Sequence, residues 1–348
     1  MGDITAAPLS IHRFAFTGRT ADYFRIWAVS LCLSLLTLGV YSAWGKVRKR
    51  GYLYAHTKLD GSGFEYRAAP VAILKGRLIA VLLFGGFALA GHFLPLAQIA
   101  LILLLVLLTP WIVVASSRFN ARNSAWRNVT FAFDGTLREA AKVILGFGAL
   151  TIVTLGIAYP WFRMRRAQLI VERHRFGATP FNADLRTRGF VVVYLLALLM
   201  MLTPVLMVVA IGVASVLAAA SADPEYPPAA LAYVFTIAFY LAYLAAFAYL
   251  RARVGNLTLN GTIVGPLRCR STLRARNLIW LYASNIVAVL ATFGLAMPWV
   301  TIRMARYRAS NLCVVGTGPL ASFAAAPGAV GTATGSEVGD LFDVDVSL

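Results

Sequence analysis

The sequence predicts a predominantly α-helical polytopic membrane protein with short cytoplasmic β-hairpins. Composition, the spacing of its apolar runs and a unit that recurs three times support this fold class. Of the 348 residues, 59% are hydrophobic and only 13% are charged, whereas soluble domains carry about 25% charged residues. Too few polar side chains remain to cover a soluble surface. A cytosolic globular protein, a disordered chain and a secreted disulfide scaffold are therefore excluded.

The uncharged runs of the chain form seven apolar segments. A helix needs about 20 apolar residues to cross a bilayer, and one uncharged run is long enough for two passes with a turn at Pro95. The uncharged runs are 26–45, 78–117, 143–162, 189–222, 226–250 and 277–302.

The basic residues favour an arrangement in which three segments re-enter the membrane. If all seven segments cross, the 32 Lys and Arg residues divide equally between the two sides, which gives no positive-inside signal. If segments 26–45, 143–162 and 277–302 dip in and return, all basic residues lie on one face. The Pro95 turn and an acidic turn at Asp223 and Glu225 then lie on the other. This arrangement predicts cytoplasmic basic loops.

Threonine, glycine and tryptophan keep one spacing in the three segments predicted to re-enter. Threonine can bond a carbonyl of the preceding turn and bend a helix. Glycine permits a tight turn or close approach, and tryptophan favours the membrane interface. The motif therefore predicts a kink in a packed helix, or alternatively the lining of a cavity. Its residues are Thr37, Gly39 and Trp44; Thr154, Gly156 and Trp161; and Thr292, Gly294 and Trp299.

Alternating apolar residues predict short strands around each motif. The predicted strands are 14–18, 131–135 and 257–261 before the motifs, with 52–54 and 64–66 after the first. Three internal repeats follow, at 1–77, 128–188 and 255–324. Transmembrane hairpins 78–117 and 189–250 join them, and 325–348 is predicted to be a disordered acidic tail.

Basic residues after the motifs are candidate contacts for anionic lipid headgroups. Each basic residue near a membrane surface contributes about 1 kcal/mol to such binding. The alternative is that these residues only fix the topology. The candidates are Lys46, Arg48, Arg163, Arg165 and Arg303.

The sequence carries no motif for catalysis, cofactors or metals. It contains no nucleophile elbow, zinc-protease motif or Walker loop, and its histidines and three cysteines lack ligand spacing. No apolar segment contains Asp, Glu, Lys or Arg, which disfavours proton-coupled transport. We predict membrane lipids as partners, no nucleic acid, no cofactor and no enzymatic activity. The predicted role is structural, envelope-associated or lipid-interacting; the alternative is a transporter or channel for a neutral or anionic small solute.

Three stretches make the sequence similar to the YjgN-like family of bacterial inner-membrane proteins. They are residues 14–18, 37–50 and 52–61. The likeness recurs over 128–190 and is weaker over 255–324, where Thr301 replaces a basic residue and Pro319 an aromatic one. The resemblance implies a multi-pass protein of the inner (plasma) membrane. It implies no activity, because the family has none assigned, and hence no catalytic residues.

Overall fold

The computed structural model describes residues 10–93, 95–219 and 229–317, in which strands alternate with groups of helices. The strands are β1 (Ser10–Phe16), β2 (Thr57–Leu59), β3 (Ser62–Tyr66), β4 (Ser124–Trp126), β5 (Val129–Phe133), β6 (His174–Phe176), β7 (Thr179–Ala183), β8 (Thr262–Val264), β9 (Leu267–Ser271) and β10 (Leu312–Gly316). The helices are α1 (Thr20–Leu36), α2 (Ser42–His56), α3 (Pro70–Phe93), α4 (Pro95–Arg122), α5 (Leu137–Ala141), α6 (Phe147–Val153), α7 (Tyr159–Glu172), α8 (Thr187–Ala219), α9 (Ala229–Asn260), α10 (Ala275–Ala291) and α11 (Met297–Ser310). A π-helical turn, Lys142–Gly146, joins α5 to α6.

The ten strands form one closed antiparallel barrel. Strand β1 closes it, because its first half pairs with β10, from Ser10 opposite Gly316 to Arg13 opposite Cys313. Its second half pairs with β2, from Phe14 opposite Leu59. Closure gives every short strand a neighbour on both sides and leaves no free edge.

The strand order places the hairpin turns at one end of the barrel, and the chain leaves for each group of helices and returns from it at the other end. Neighbouring strands are antiparallel, and each group of helices returns to the strand beside the one it left. The turns between β2 and β3 and between β4 and β5 use left-handed residues: Asp60 and Gly61 in the first, Arg127 and Asn128 in the second. Two such residues in succession give the twist that a tight hairpin needs.

Large apolar side chains fill the barrel, and every strand contributes at least one of them. Trp126 and Phe176 are buried, and their rings lie 6.0 Å apart. Phe131 packs against Phe176 with ring centroids 4.8 Å apart. Val171 of α7 is fully buried against this cluster. Aromatic burial on this scale is a major source of stability.

The described residues divide into two compact units. The first comprises residues 10–93, 95–185, 258–270 and 297–317 and contains the barrel except for Ser271, the last residue of β9. The second comprises residues 186–219, 229–257 and 271–296. Within the second unit Phe190 and Ala248 are fully buried. There the Asn256 amide donates to the Leu273 carbonyl at 2.8 Å and accepts from its backbone N–H at 3.0 Å.

The predicted fold class is wrong, first, about the strands. The sequence predicts separate short hairpins, whereas the strands close into a single barrel. Residues 14–16, 64–66 and 131–133 are in strands as predicted, but 52–54 lie in α2 and 257–260 in α9. Two or three alternating residues are fewer than one helical turn, so the pattern does not separate the two structures.

The predicted fold class is wrong, second, about seven apolar spans. Among the described residues, three helices are long and apolar enough to cross a membrane: Gln98–Arg122, Thr187–Met207 and Thr236–Asn260. The three motif-bearing runs are interrupted by turns, which leave helices such as α1 and α10 with 17 residues each. The acidic turn at Asp223 and Glu225 and the tail 325–348 lie outside the described residues.

Candidate functional site

Three turns, which we call the elbows, lie where the threonine motif occurs. Elbow 1 is 37–41, elbow 2 is 154–158 and elbow 3 is 292–296. In each elbow the threonine hydroxyl donates to a carbonyl of the preceding turn and accepts from a backbone N–H of the elbow. Thr37 Oγ1 donates to the Leu33 carbonyl at 2.7 Å and accepts from the Tyr41 N–H at 2.9 Å. The same pair of bonds is made by Thr154 with Leu150 and Ala158, and by Thr292 with Ala288 and Ala296.

The motif glycines adopt a left-handed conformation that the turn requires. Gly39, Gly156 and Gly294 have φ of +92°, +91° and +91°. Each follows a residue that is itself left-handed, with φ between +47° and +50°. Apart from the adjacent residues, no atom lies within 4 Å of the position that a Cβ would occupy at any of the three glycines. Backbone conformation, rather than close packing, therefore favours glycine here.

The tips of the elbows expose large apolar side chains almost completely. Leu38 is 96% exposed, Leu155 is 95% exposed and Phe293 is 98% exposed. Neighbouring apolar residues are also exposed, among them Leu36 and Val153 at 80% each. Contiguous apolar surface of this kind marks a site that contacts a membrane or a partner.

Three of the five basic residues predicted to contact headgroups lie over aromatic rings near the elbows. The guanidinium of Arg48 lies 5.9 Å from the Tyr41 ring centroid. That of Arg165 lies 6.0 Å from Phe147. That of Arg303 lies 4.9 Å from Trp299. Of the other motif tryptophans, Trp44 stacks on Tyr41 at 6.1 Å, and Trp161 meets Phe147 edge-on at 5.1 Å.

The fourth and fifth predicted contacts, Lys46 and Arg163, have different surroundings. Burial lowers the pKa of Arg166, and repulsion from the nearby Arg163 lowers it further. Lys46 lines a cavity of about 370 Å³, which we call the basic cleft. Its lining residues are Tyr23, Ser42, Lys46, Lys49, Arg50, Leu53 and Arg77.

Three helices bring the basic cleft together. Tyr23 comes from α1, Arg77 from α3, and the other five residues from α2. Ser42, Lys46, Lys49 and Arg50 are spaced so that they fall on one face of α2. Sequence reasoning did not select Tyr23, Ser42, Lys49, Arg50 or Arg77. The helical spacing was a signal for the α2 residues, but Tyr23 and Arg77 have no comparable signal because they belong to other helices.

Hydrogen bonds hold two of the cations in the cleft wall. Arg50 Nη1 donates to Asn120 Oδ1 at 3.1 Å and to the Tyr66 hydroxyl at 3.3 Å. Arg77 donates to the Ser42 hydroxyl oxygen, and that hydroxyl donates to the Gly39 carbonyl of elbow 1. Burial lowers the pKa of Lys49, and repulsion from Arg77 lowers it further. The cleft therefore concentrates positive charge in a partly desolvated place.

The whole-chain comparison identifies the family. The family model of DUF898, which is described as a bacterial protein of unknown function, matches residues 11–341. The chain belongs to the DUF898 family. Inner membrane protein YjgN of Salmonella typhimurium strain LT2 is 24% identical over 353 residues, which are 88% of this chain and 89% of that protein. Inner membrane protein YjgN of Escherichia coli O157:H7 is 23% identical, with the same coverage. No solved structure matches the chain.

The resemblance to YjgN-like proteins that the sequence motifs indicate is confirmed. The names of these relatives support the bacterial inner membrane as the location of this DUF898 protein. The family description assigns no activity. Among the described residues, no group of three His, Cys, Asp or Glu side chains could hold a metal ion.

Proposed function

We propose that this DUF898 protein is a non-enzymatic, lipid-interacting, multi-pass protein of the inner membrane. In this proposal the barrel lies on the cytoplasmic side, and the elbows enter the adjacent leaflet and return. The observation that carries the proposal is the exposure of Leu38, Leu155 and Phe293 at the elbow tips. A large apolar side chain gains about 1.5–3 kcal/mol when it leaves water, so all three tips favour insertion into lipid.

The strand order supports the return of each elbow to the side from which it came. β1 and β2, which flank elbow 1, are paired, as are β5 and β6 around elbow 2 and β9 and β10 around elbow 3. A segment that leaves the barrel and comes back to it crosses a membrane an even number of times. The elbows therefore fit re-entry, and the α8–α9 segment, in which both helices are long and apolar enough to cross, fits two crossings.

Helix length supports the same division. At 1.5 Å per residue, the 17 residues of α1 span about 25 Å, which is less than the hydrocarbon core of about 30 Å. The 33 residues of α8 span about 50 Å and can cross the core. The short helices thus turn back before the opposite interface, and the long ones do not.

Basic residues in the first half of the helices that follow the elbows favour contact with anionic headgroups. Arg48, Arg165 and Arg303 each lie over an aromatic ring beside an elbow. Aromatic rings and long basic side chains are typical of the membrane interface. Lys46 and Arg163 occupy equivalent positions, each two residues after a motif tryptophan. We propose that these residues contact phosphate-bearing headgroups.

We also infer that the three elbow units are an internal repeat. The elbows share the two bonds of the threonine hydroxyl and the two consecutive left-handed residues. The transport alternative has weaker support, because each motif threonine hydroxyl is occupied within its own turn. None of these threonines lines the basic cleft.

Site-directed spin labelling tests the placement of the elbows. Single cysteines replace Leu155 at elbow 2 and, as a control, Asn128 at an exposed hairpin turn, in a variant with Ser at Cys32, Cys269 and Cys313. In bilayers we expect the label at 155 to be more accessible to oxygen than to a water-soluble nickel chelate. The label at 128 should show the reverse. Equal chelate accessibility at 155 and 128 would contradict the proposal.

Cysteine labelling in intact cells tests the sidedness of the barrel. The exposed hairpin-turn residues Asp60, Asn128, Ala178 and Pro266 are replaced singly by cysteine in the same background. We expect all four to resist a membrane-impermeant maleimide until the inner membrane is opened. A cysteine at Glu225 should react from outside. Opposite accessibility of positions 60 and 178 would show that the barrel does not lie on one side.

A further inference from the structure

The basic cleft has the composition of an anion site. Four of its lining residues are cationic, two carry hydroxyl groups, and no carboxylate lines it among the described residues. Its volume of about 370 Å³ lies within the range of small-ligand sites. Lys46, Lys49, Arg50 and Arg77 are all partly buried. An anion bound there would meet cations that water screens less than on an open surface.

The cleft is positioned before any ligand arrives. Asn120 and Tyr66 hold the Arg50 guanidinium, and Ser42 holds that of Arg77. A guanidinium that is already oriented loses less freedom when it binds a phosphate or carboxylate. Since Ser42 also bonds the Gly39 carbonyl, the cleft is attached to elbow 1. Leu38, the exposed tip of elbow 1, directly precedes Gly39. The position of the cleft therefore depends on the conformation of that turn.

The other two elbows lack the complete set of cations. Counting from each motif tryptophan, Arg50 corresponds to Ala167 and Ala305. Lys49 corresponds to Arg166 and Met304, and Lys46 to Arg163 and Thr301. Basic residues that served only to fix topology would have no need to share one face of one helix. Their concentration after elbow 1 points to a ligand.

We propose that the basic cleft binds a phosphate group. Phosphate oxygens accept from several donors at once, and both Arg and Lys bind them by charge-assisted hydrogen bonds. The phosphate can come from an anionic lipid headgroup or from a soluble phosphate. The lipid source rests on the proposed function, because it needs elbow 1 to enter the leaflet. The phosphate chemistry of the cleft does not.

The test compares the full-length wild type with Lys49→Gln, Lys46→Gln and the control Lys75→Gln. Lys75 is exposed on α3 and does not line the cleft, yet its substitution removes the same charge. Loss of one charge-assisted hydrogen bond weakens binding about tenfold or more. We expect that loss for Lys49→Gln and Lys46→Gln, and a change below about twofold for Lys75→Gln. Two cleft variants are used so that a folding defect in one leaves the comparison intact.

Two ligands separate the two sources. Inorganic phosphate is titrated calorimetrically into protein in an uncharged detergent, and phosphatidylglycerol is offered with phosphatidylcholine in mixed micelles for native mass spectrometry. Binding of inorganic phosphate with the expected order of variants supports a site for free phosphate. Retention of phosphatidylglycerol alone, with the same order, supports a lipid headgroup.

Equal effects of Lys49→Gln and Lys75→Gln in both measurements would overturn the proposal, as would no binding of either probe. Neither measurement contains a bilayer, so their outcome is independent of elbow insertion. Failure of the spin-label experiment with survival of this one would reject the proposed function and keep the phosphate site.

Discussion

Gly156 and Gly148 offer a matched test of what the elbows require. Both lie in the motif-bearing segment of elbow 2. Apart from the adjacent residues and, at Gly148, the backbone of its own helix, neither has an atom within 4 Å of the place where a Cβ would be. They differ in backbone conformation, because Gly156 has φ of +91° whereas Gly148 lies within α6. Substitution by alanine therefore tests conformation without a change in packing.

The expected effects have opposite signs. An L-residue held in a sparsely populated backbone region loses about 1–3 kcal/mol, so Gly156→Ala should destabilise the protein by that amount. Gly148→Ala should stabilise it by about 0.5–1 kcal/mol, since alanine is favoured over glycine within a helix. Gly156→Asn should lie between Gly156→Ala and wild type, because asparagine tolerates positive φ better than alanine.

Thermal unfolding in detergent, followed by tryptophan fluorescence at one scan rate, measures these effects. One kcal/mol corresponds to about 2–4 °C for a unit of 150–250 residues, so Gly156→Ala and Gly148→Ala should melt several degrees apart. Gly39→Ala and Gly294→Ala should behave like Gly156→Ala, since their φ values are the same within a degree. If Gly156→Ala melts with or above Gly148→Ala, the reasoning from backbone conformation is refuted.

Two further outcomes are expected for buried residues of the barrel, with an exposed elbow residue as a control for the second. Burial lowers the pKa of His174 below its ordinary value of 6.5. As the pH falls, the His174 side chain of the unfolded state therefore takes up a proton before that of the folded state. The stability of the fold should then decrease as the pH drops below about 6.5. His174→Asn should flatten that fall in melting curves at pH 5.5 and 7.5, because asparagine does not titrate. Asparagine can also keep a bond to the Ile170 carbonyl, as Asn123 does to Phe119. Phe176→Ala should destabilise the core by about 3–5 kcal/mol, whereas Leu155→Ala, at a residue that is 95% exposed, should leave the detergent melting point unchanged.

Local patterns in the sequence identified the elbows and several strands, because the evidence for both lies within a few residues. The spacing of Thr37, Gly39 and Trp44 recurs twice in the chain, and each copy forms a turn. Alternation at 64–66 and 131–133 corresponds to β3 and β5. These features depend on backbone conformation near one residue, which local sequence governs.

Closure of the barrel could not be predicted in this way. Ser10 pairs with Gly316, more than 300 positions away, and the residue pattern near either one does not predict which strand it pairs with. Strands as short as β2 and β4 have three residues each, too few for alternation to distinguish them from a helix. The basic cleft could not be predicted for the same reason. Tyr23 and Arg77 lie beside Lys49 only when α1, α2 and α3 pack together.

The hydrogen bonds of the elbows explain why threonine suits a turn that enters lipid. From Thr37 to Ser42 every backbone N–H has an acceptor, and the acceptor of Tyr41 N–H is the threonine hydroxyl. Residues 154–159 repeat this pattern, with Ala158 N–H bonded to Thr154 Oγ1. Water would satisfy such a group on a soluble surface, but hydrocarbon offers no partner and leaves a penalty of several kcal/mol. The hydroxyl therefore completes a turn that can be surrounded by lipid, and valine, which has the same shape, could not replace it there.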